Sequence, residues 1–134
     1  MPVILSIQGF LDGSKSAMLT VSVPQDRYQT DPDGPWQPVS QLTHGDNVHA
    51  VNHFGRQFSR VGTVTSIRSL ETKAAVERLI TSITLVEVAR ITPQDITDLG
   101  YKTQQDWLND WGMALEKRWA WLIRLLPVSA TTPQ

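Results

Sequence analysis

Six runs rich in β-branched and aromatic residues constrain this chain more than any other feature. They are 2–8 (PVILSIQ), 17–23 (AMLTVSV), 47–53 (NVHAVNH), 57–68 (QFSRVGTVTSIR), 83–91 (ITLVEVARI) and 118–126 (RWAWLIRLL). Side chains of this kind fit a pleated, half-buried surface, and glycine, proline and turn residues separate the runs. Pro24 closes the second run, and the run 83–91 is the clearest strand of the set. The run 118–126 is ambiguous between helix and strand. There Trp119, Trp121, Ile123 and Leu125 alternate with Ala120, Leu122, Arg124 and Leu126, and the alternation with its aromatic content favours a strand. Gly62 is a candidate bulge inside 57–68. Phe54-Gly55-Arg56 reads as a hairpin turn.

Between the runs the grammar changes. Gly9, Asp12 and Gly13 break the first strand, leaving Phe10 and Leu11 as a short apolar turn. Residues 70–80 (LETKAAVERLI) are compatible with a helix. Thr92-Pro93-Gln94-Asp95 and Thr103-Gln104-Gln105-Asp106 share one helix-start pattern. Threonine caps the first turn and a carboxylate three residues on answers it, with Pro93 at the first helical position of the earlier one. Gly100 separates the two helices. Trp107, Trp111 and Ala114 follow helical spacing beside Leu108 and Leu115, which is the spacing of a core face. Residues 25–40 carry three prolines and the Asp33-Gly34 pair with no apolar period, so they read as a long loop holding Trp36. The predicted fold is α+β: one domain over 1–134, a small mixed, partly closed β-barrel of five or six strands with appended short helices.

Composition narrows the function classes. The 134 residues are 40% hydrophobic and 19% charged, which excludes a disordered chain. Twelve Lys and Arg against thirteen Asp and Glu give a net charge of -1, so affinity for nucleic acid would need a local patch. Cysteine is absent, which removes disulfides and thiolate sites. No targeting signal is visible, and the apolar stretch WAWLIRLLPV is too short to span a bilayer and is broken by Arg124, so the expected location is the cytoplasm. No phosphate loop, no paired catalytic carboxylates and no Ser-His-Asp order is recognisable, and neither a cofactor nor a metal is expected.

The order of features resembles the PUA-like superfamily and, within it, the ASCH domains. Leu11-Asp12-Gly13-Ser14-Lys15-Ser16 is similar to the family's G-x-K-T-x-T-x-R stretch. Leu42-Thr43-His44-Gly45-Asp46-Asn47-Val48 is similar to its L-x-x-G-D turn into a barrel strand. Gly62-Thr63-Val64-Thr65-Ser66-Ile67 resembles the barrel strand that follows. Ile91 to Asp95, Gly100-Tyr101 and Asp106-Trp107 resemble a later helical stretch. The resemblance spans about residues 3–126 and implies a PUA-like barrel that binds RNA. Some ASCH proteins resemble a small amidohydrolase using Lys, Thr and Glu. Lys15 matches the lysine, but Met18 stands where the second threonine would be, Thr20 stands at the arginine, and Glu71 or Glu87 are alternative carboxylates.

Seven residues are weighed for a site, of which six carry the leading expectation. Lys15 sits in a polar turn, as a phosphate contact or, with its pKa lowered by burial, a base. Arg56, Arg60 and Arg68 lie in 47–70, which holds no Asp or Glu. Arg60 and Arg68 share a face if no bulge intervenes, and with Lys15 and Arg27 they would line a cleft for a phosphate backbone. Trp36 and Tyr28 are candidates for stacking on a base, and Trp36 equally for plugging the barrel mouth. His49 and His53 on one strand would be roughly 13 Å apart by strand rise, too far to share an ion. The leading expectation is therefore binding of RNA, another nucleic acid or a modified nucleotide between the barrel and loop 24–42, by Lys15, Arg27, Tyr28, Trp36, Arg56 and Arg60. The alternatives are a ribonuclease or nucleoside amidohydrolase built on Lys15, and a protein-interaction module using exposed tryptophans.

Overall fold

The computed structural model describes residues 3–4, 8–53, 57–111 and 119–128. The elements in chain order begin with β1 (Val3–Ile4), α1 (Gln8–Leu11), β2 (Ala17–Val21), β3 (Arg27–Gln29) and β4 (Gln37–Pro38). There follow β5 (Asn47–Val48), β6 (Ala50–His53), β7 (Gln57–Arg60), β8 (Val64–Ser69) and β9 (Ala75–Glu87). Then come α2 (Pro93–Asp98), α3 (Gln104–Trp111) and β10 (Trp119–Pro127). The strands form two sheets. The larger runs β1-β8-β9-β10-β2 with β5 also paired to β9, and the smaller runs β4-β3-β6-β7. Among the described residues all pairings are antiparallel except β1 with β8. The class is thus α+β, with mostly antiparallel sheets and short helices; no closed barrel is present among the described residues. Among those residues, no helix is long and apolar enough to cross a membrane.

β10 explains the alternation in the last run. It lies between β9 and β2, so both of its edges are paired, and its two faces pack into separate cores. Trp121, Ile123 and Leu125 join a core with Tyr28, Val51, Ile67, Ile80, Ile83 and Leu85. Ala120 and Leu122 point the other way, into a second core with Val86, Ile96, Leu99 and Trp107 under the helices. Trp107 packs as its helical spacing predicts; the side chain of Trp111 lies outside the described residues. The register shifts at Arg124/Leu125, a local bulge in the ladder with β9. The Arg124 guanidinium reaches over to α2, donating to Asp95 and, at 3.4 Å, to Asp98 Oδ2. Part of the acidic charge of the helical segment is therefore met by a cation from the sheet.

Both threonines cap their helices, and the reciprocal carboxylate bond is present at the first. Asp95 N–H donates to Thr92 Oγ1 at 3.1 Å and Thr92 N–H donates to Asp95 Oδ2 at 3.3 Å, the reciprocal bonds of a capping box. Asp106 N–H donates to Thr103 Oγ1 at 3.0 Å.

Four expectations change. Residues 70–80 are not a helix: 70–74 turn, and 75–87 continue as one strand of 13 residues. The helix-favouring Glu, Lys and Ala residues yield to pairing on both edges of β9, because propensity differences of tenths of a kcal/mol are small beside tertiary packing. Gly62 is not a bulge within a strand. It takes φ +89° at the corner where the chain leaves the smaller sheet after β7 and enters the larger at β8. Arg60 and Arg68 therefore sit on different sheets. The run 47–53 likewise breaks at His49, between β5 in the larger sheet and β6 in the smaller. The long loop 25–40 contains β3 and β4, too short to show a period. The turn at 54–56 lies outside the described residues, but β6 and β7 pair antiparallel on either side of it.

A buried carboxylate ties the two sheets together. Asp26 is 0% exposed. Its Oδ2 accepts from Trp121 Nε1 of the larger sheet at 2.8 Å, from Ser22 Oγ at 3.3 Å and from Val23 N–H at 3.2 Å. Its Oδ1 lies 2.8 Å from Nδ1 of His53, on β6 of the smaller sheet. A buried charge persists only where such donors surround it.

Candidate functional site

A cleft of about 310 Å³ opens between the larger sheet and the segment 24–42. Leu85 of β9 and Trp119 of β10 line it from the sheet; Val23 and Pro24 line one lip, and Val39 and Leu42 the other. Ser22 and Ser40 add two hydroxyls, and among the described residues no charged side chain lines the cleft. Trp119 is half-buried at the start of β10, where it packs beside the inter-sheet core and keeps part of its surface toward the cleft.

The turn that resembles the L-x-x-G-D motif holds the second lip in place. Asp46 Oδ2 accepts from Thr43 N–H at 2.9 Å and from Thr43 Oγ1 at 3.2 Å. Gly45 N–H donates to Leu85 O at 2.8 Å, and Leu85 N–H donates to Asp46 O at 3.0 Å. Glu87 N–H donates to His44 Nδ1 at 2.9 Å. Gly45 takes φ +91°, a conformation costly for any residue with a Cβ. Polar residues of the motif thus act as staples between the loop and β9.

The candidate residues do not all converge. Tyr28 is 4% exposed in the core, with its hydroxyl donating to Gln37 Oε1 at 3.3 Å. Its ring is a packing group, which corrects the expectation of base stacking. Arg27 follows closely on Pro24 at the first lip, and its guanidinium donates to the carbonyls of Gln25 (3.3 Å) and Asp26 (3.1 Å). Arg60 is half-buried on β7. Register places it on the same face of the smaller sheet as Arg27, since Arg27 pairs with Asn52 and Ala50 pairs with Arg60. Strand spacing and rise put their Cα atoms roughly 12 Å apart. Trp36, 39% exposed, stands just before β4 at the other edge of that sheet. Arg56 lies outside the described residues.

Lys15 is elsewhere. It stands before β2 and Arg27 follows β2, so about 17 Å of strand lies between them. Its stem packs against two glycines: a Cβ at Gly9 would meet Lys15 Cβ at 3.0 Å, and one at Gly100 would meet it at 3.2 Å. Its ammonium lies 5.3 Å from the centroid of the Phe10 ring, which Arg78 also approaches at 5.8 Å. Burial pushes the Lys15 pKa below the ordinary lysine range, with the Asp110 carboxylate partly opposing. Met18 faces the inter-sheet core. Glu87 is at the opposite end of β9 from Arg78, and Glu71 is exposed in the 70–74 turn.

The lowered pKa has a consequence for stability. Between the folded pKa of Lys15 and its ordinary value, the unfolded chain holds more protons, so stability rises with pH in that window. Below it, the folded protein carries the cost of a partly buried ammonium. Lys15→Met is therefore expected to be at least as stable as the parent at pH 7, with its advantage shrinking as pH rises through the alkaline window. Parallel thermal melts across pH 7–11 measure the difference; a constant difference contradicts the burial of the ammonium.

No family model matches the chain, and no curated protein or solved structure matches it.

Proposed function

We propose that this chain binds a nucleotide-like planar ring, free or as an unpaired base of RNA, in the cleft between the larger sheet and the segment 24–42. The observation that carries the reading is the cleft itself: among the described residues it has an indole on its lining, apolar walls and two hydroxyls. Apolar clefts with a few hydrogen-bonding groups at the small end of the ligand-pocket range suit one ring system better than a chain of several bases. Stacking on Trp119 supplies affinity, and Ser22 and Ser40 are placed to read the ring's polar edge. Arg27 at the lip meets a phosphate by turning outward from the carbonyls it now caps. Trp119 takes the stacking role that the sequence assigned to Trp36 and Tyr28. In this reading the two sheets are the sides of a partly closed PUA-like barrel, as the motif resemblance implies.

Fluorescence titration with nucleosides, nucleotides and short RNA oligonucleotides tests the proposal. Trp119→Ala is expected to weaken binding about tenfold to a hundredfold, the range for one lost stacking partner, while Trp119→Phe retains most of it. Arg27→Ala is expected to reduce the salt dependence of nucleotide binding while sparing nucleosides. Unchanged affinity in Trp119→Ala removes the cleft as the site. Loss on replacing Trp36 and Arg60 instead would move the site to the outer face of the smaller sheet.

A further inference from the structure

The buried Asp26 carboxylate has a neighbour whose chemistry the fold alone does not use. His53 Nδ1 lies 2.8 Å from Asp26 Oδ1, deep between the sheets, while 24% of the histidine side chain remains exposed. The ring lines a small cavity with two hydroxyls, Thr20 and Ser59, and with apolar walls that include Met18, Val51 and Trp121. Register brings the histidine and the serine together. Val51 pairs with Ser59 and His53 with Gln57, so His53 and Ser59 are diagonal neighbours on one face of an antiparallel pair. Such neighbours have Cα atoms about 7–8 Å apart, within reach of a ring side chain. His53 and Ser59 thus meet at one cavity, with Asp26 behind the histidine and outside the lining, although the three lie on different segments of the chain.

We propose that Asp26, His53 and Ser59 form an acyl-transfer centre that hydrolyses carboxylic esters with a short acyl chain. Asp26 is a positioning residue: its carboxylate lies 2.8 Å from Nδ1, and a turn of the imidazole that aligns Nδ1–H on it leaves Nε2 as the base. Ser59 Oγ adds to the ester carbonyl as its proton passes to His53 Nε2. The Thr20 hydroxyl is the side-chain donor placed for the oxyanion. Collapse breaks the ester C–O bond, and the departing alcohol takes the proton from His53. Water then attacks the acyl-Ser59 ester, again giving a proton to His53, and the carboxylic acid leaves as serine regains its hydrogen. The cavity holds about 40 Å³, well under the roughly 150 Å³ that accommodates benzene, so the acyl group is acetyl-sized. The cavity shares no lining residue with the Trp119 cleft.

The test uses the whole chain with p-nitrophenyl acetate as substrate and a small sulfonyl fluoride as label. The expected result is turnover above the buffer rate and a covalent adduct on the Ser59 peptide. Ser59→Ala abolishes both, and His53→Gln lowers the rate and the labelling at least a hundredfold, the usual contribution of a general base. Circular dichroism checks that each variant is folded. In Asp26→Asn, assayed well below its melting temperature, kcat per folded molecule falls while KM holds. An unlabelled Ser59, labelling indifferent to His53→Gln, or turnover unchanged in Ser59→Ala overturns the centre. An unchanged kcat per folded Asp26→Asn molecule removes Asp26 from it.

Discussion

Asp26→Ala is expected to lower the melting temperature by roughly 10–20 °C. Removing one partner of a buried charged cluster costs about 3–5 kcal/mol, because the groups left behind are desolvated and unpaired. In a domain of this size each kcal/mol shifts the midpoint by about 3–5 °C. The groups left behind are the Trp121 indole N–H, the Ser22 hydroxyl and the Val23 amide, with the His53 ring beside them. They belong to different segments, so the loss is felt at the joint between the sheets. Asp26→Asn is expected to be milder, because an amide oxygen still accepts from Trp121. Its NH2 group, however, points a donor at groups that are themselves donors. Denaturant melts of the two variants measure the difference. A loss in Asp26→Ala below about 1 kcal/mol would mean that water reaches the carboxylate in solution.

Trp121→Ala carries the second large effect, about 3–5 kcal/mol, the usual range for removing a buried aromatic ring. Trp121 is 1% exposed and is the largest side chain buried to that degree among the described residues. It packs with the inter-sheet core while its N–H meets Asp26, so truncation opens a cavity and removes a donor together. Trp121→Phe separates the two terms. It keeps most of the packing and leaves Asp26 Oδ2 with fewer donors, for an expected loss of about 1–3 kcal/mol. The effects of Trp121→Phe and Asp26→Ala should not add, since both break the same bond. A double-mutant cycle is expected to give a coupling above about 0.5 kcal/mol, and strict additivity would refute the bond.

Much of the local structure was legible without coordinates. The run 17–23 and the last run are strands, as the alternation around Trp121 indicated; that this strand is buried on both faces appears only in the fold. The Thr92 and Thr103 caps form as written, because a cap is a contact between residues three apart and needs nothing else. The helix-like 70–80 was misleading for the opposite reason: its outcome depends on which strands lie beside it, and β8 and β10 are distant in sequence. The site was less legible. Glycine and aspartate of the Leu42–Val48 motif were visible, but not their part in stapling a cleft lip to β9. Trp119 was legible only as one member of an alternating strand, because a strand pattern says which residues share a face and not where that face runs out of cover. Tyr28, read as a loop residue, turned inward once β3 paired with β6.

By itself the sequence determined the strand-rich class, the capped helices, the near-neutral charge and the absence of thiol chemistry. These follow from residue identity and short-range geometry, which any conformation of the chain inherits. Only the tertiary structure decided that Asp26 meets Trp121 and His53, that Ser59 stands diagonal to that histidine, and that Trp119 lines a cleft. Those meetings join residues far apart in the chain. They exist because burying apolar surface between two sheets outweighs the cost of closing the loops between them.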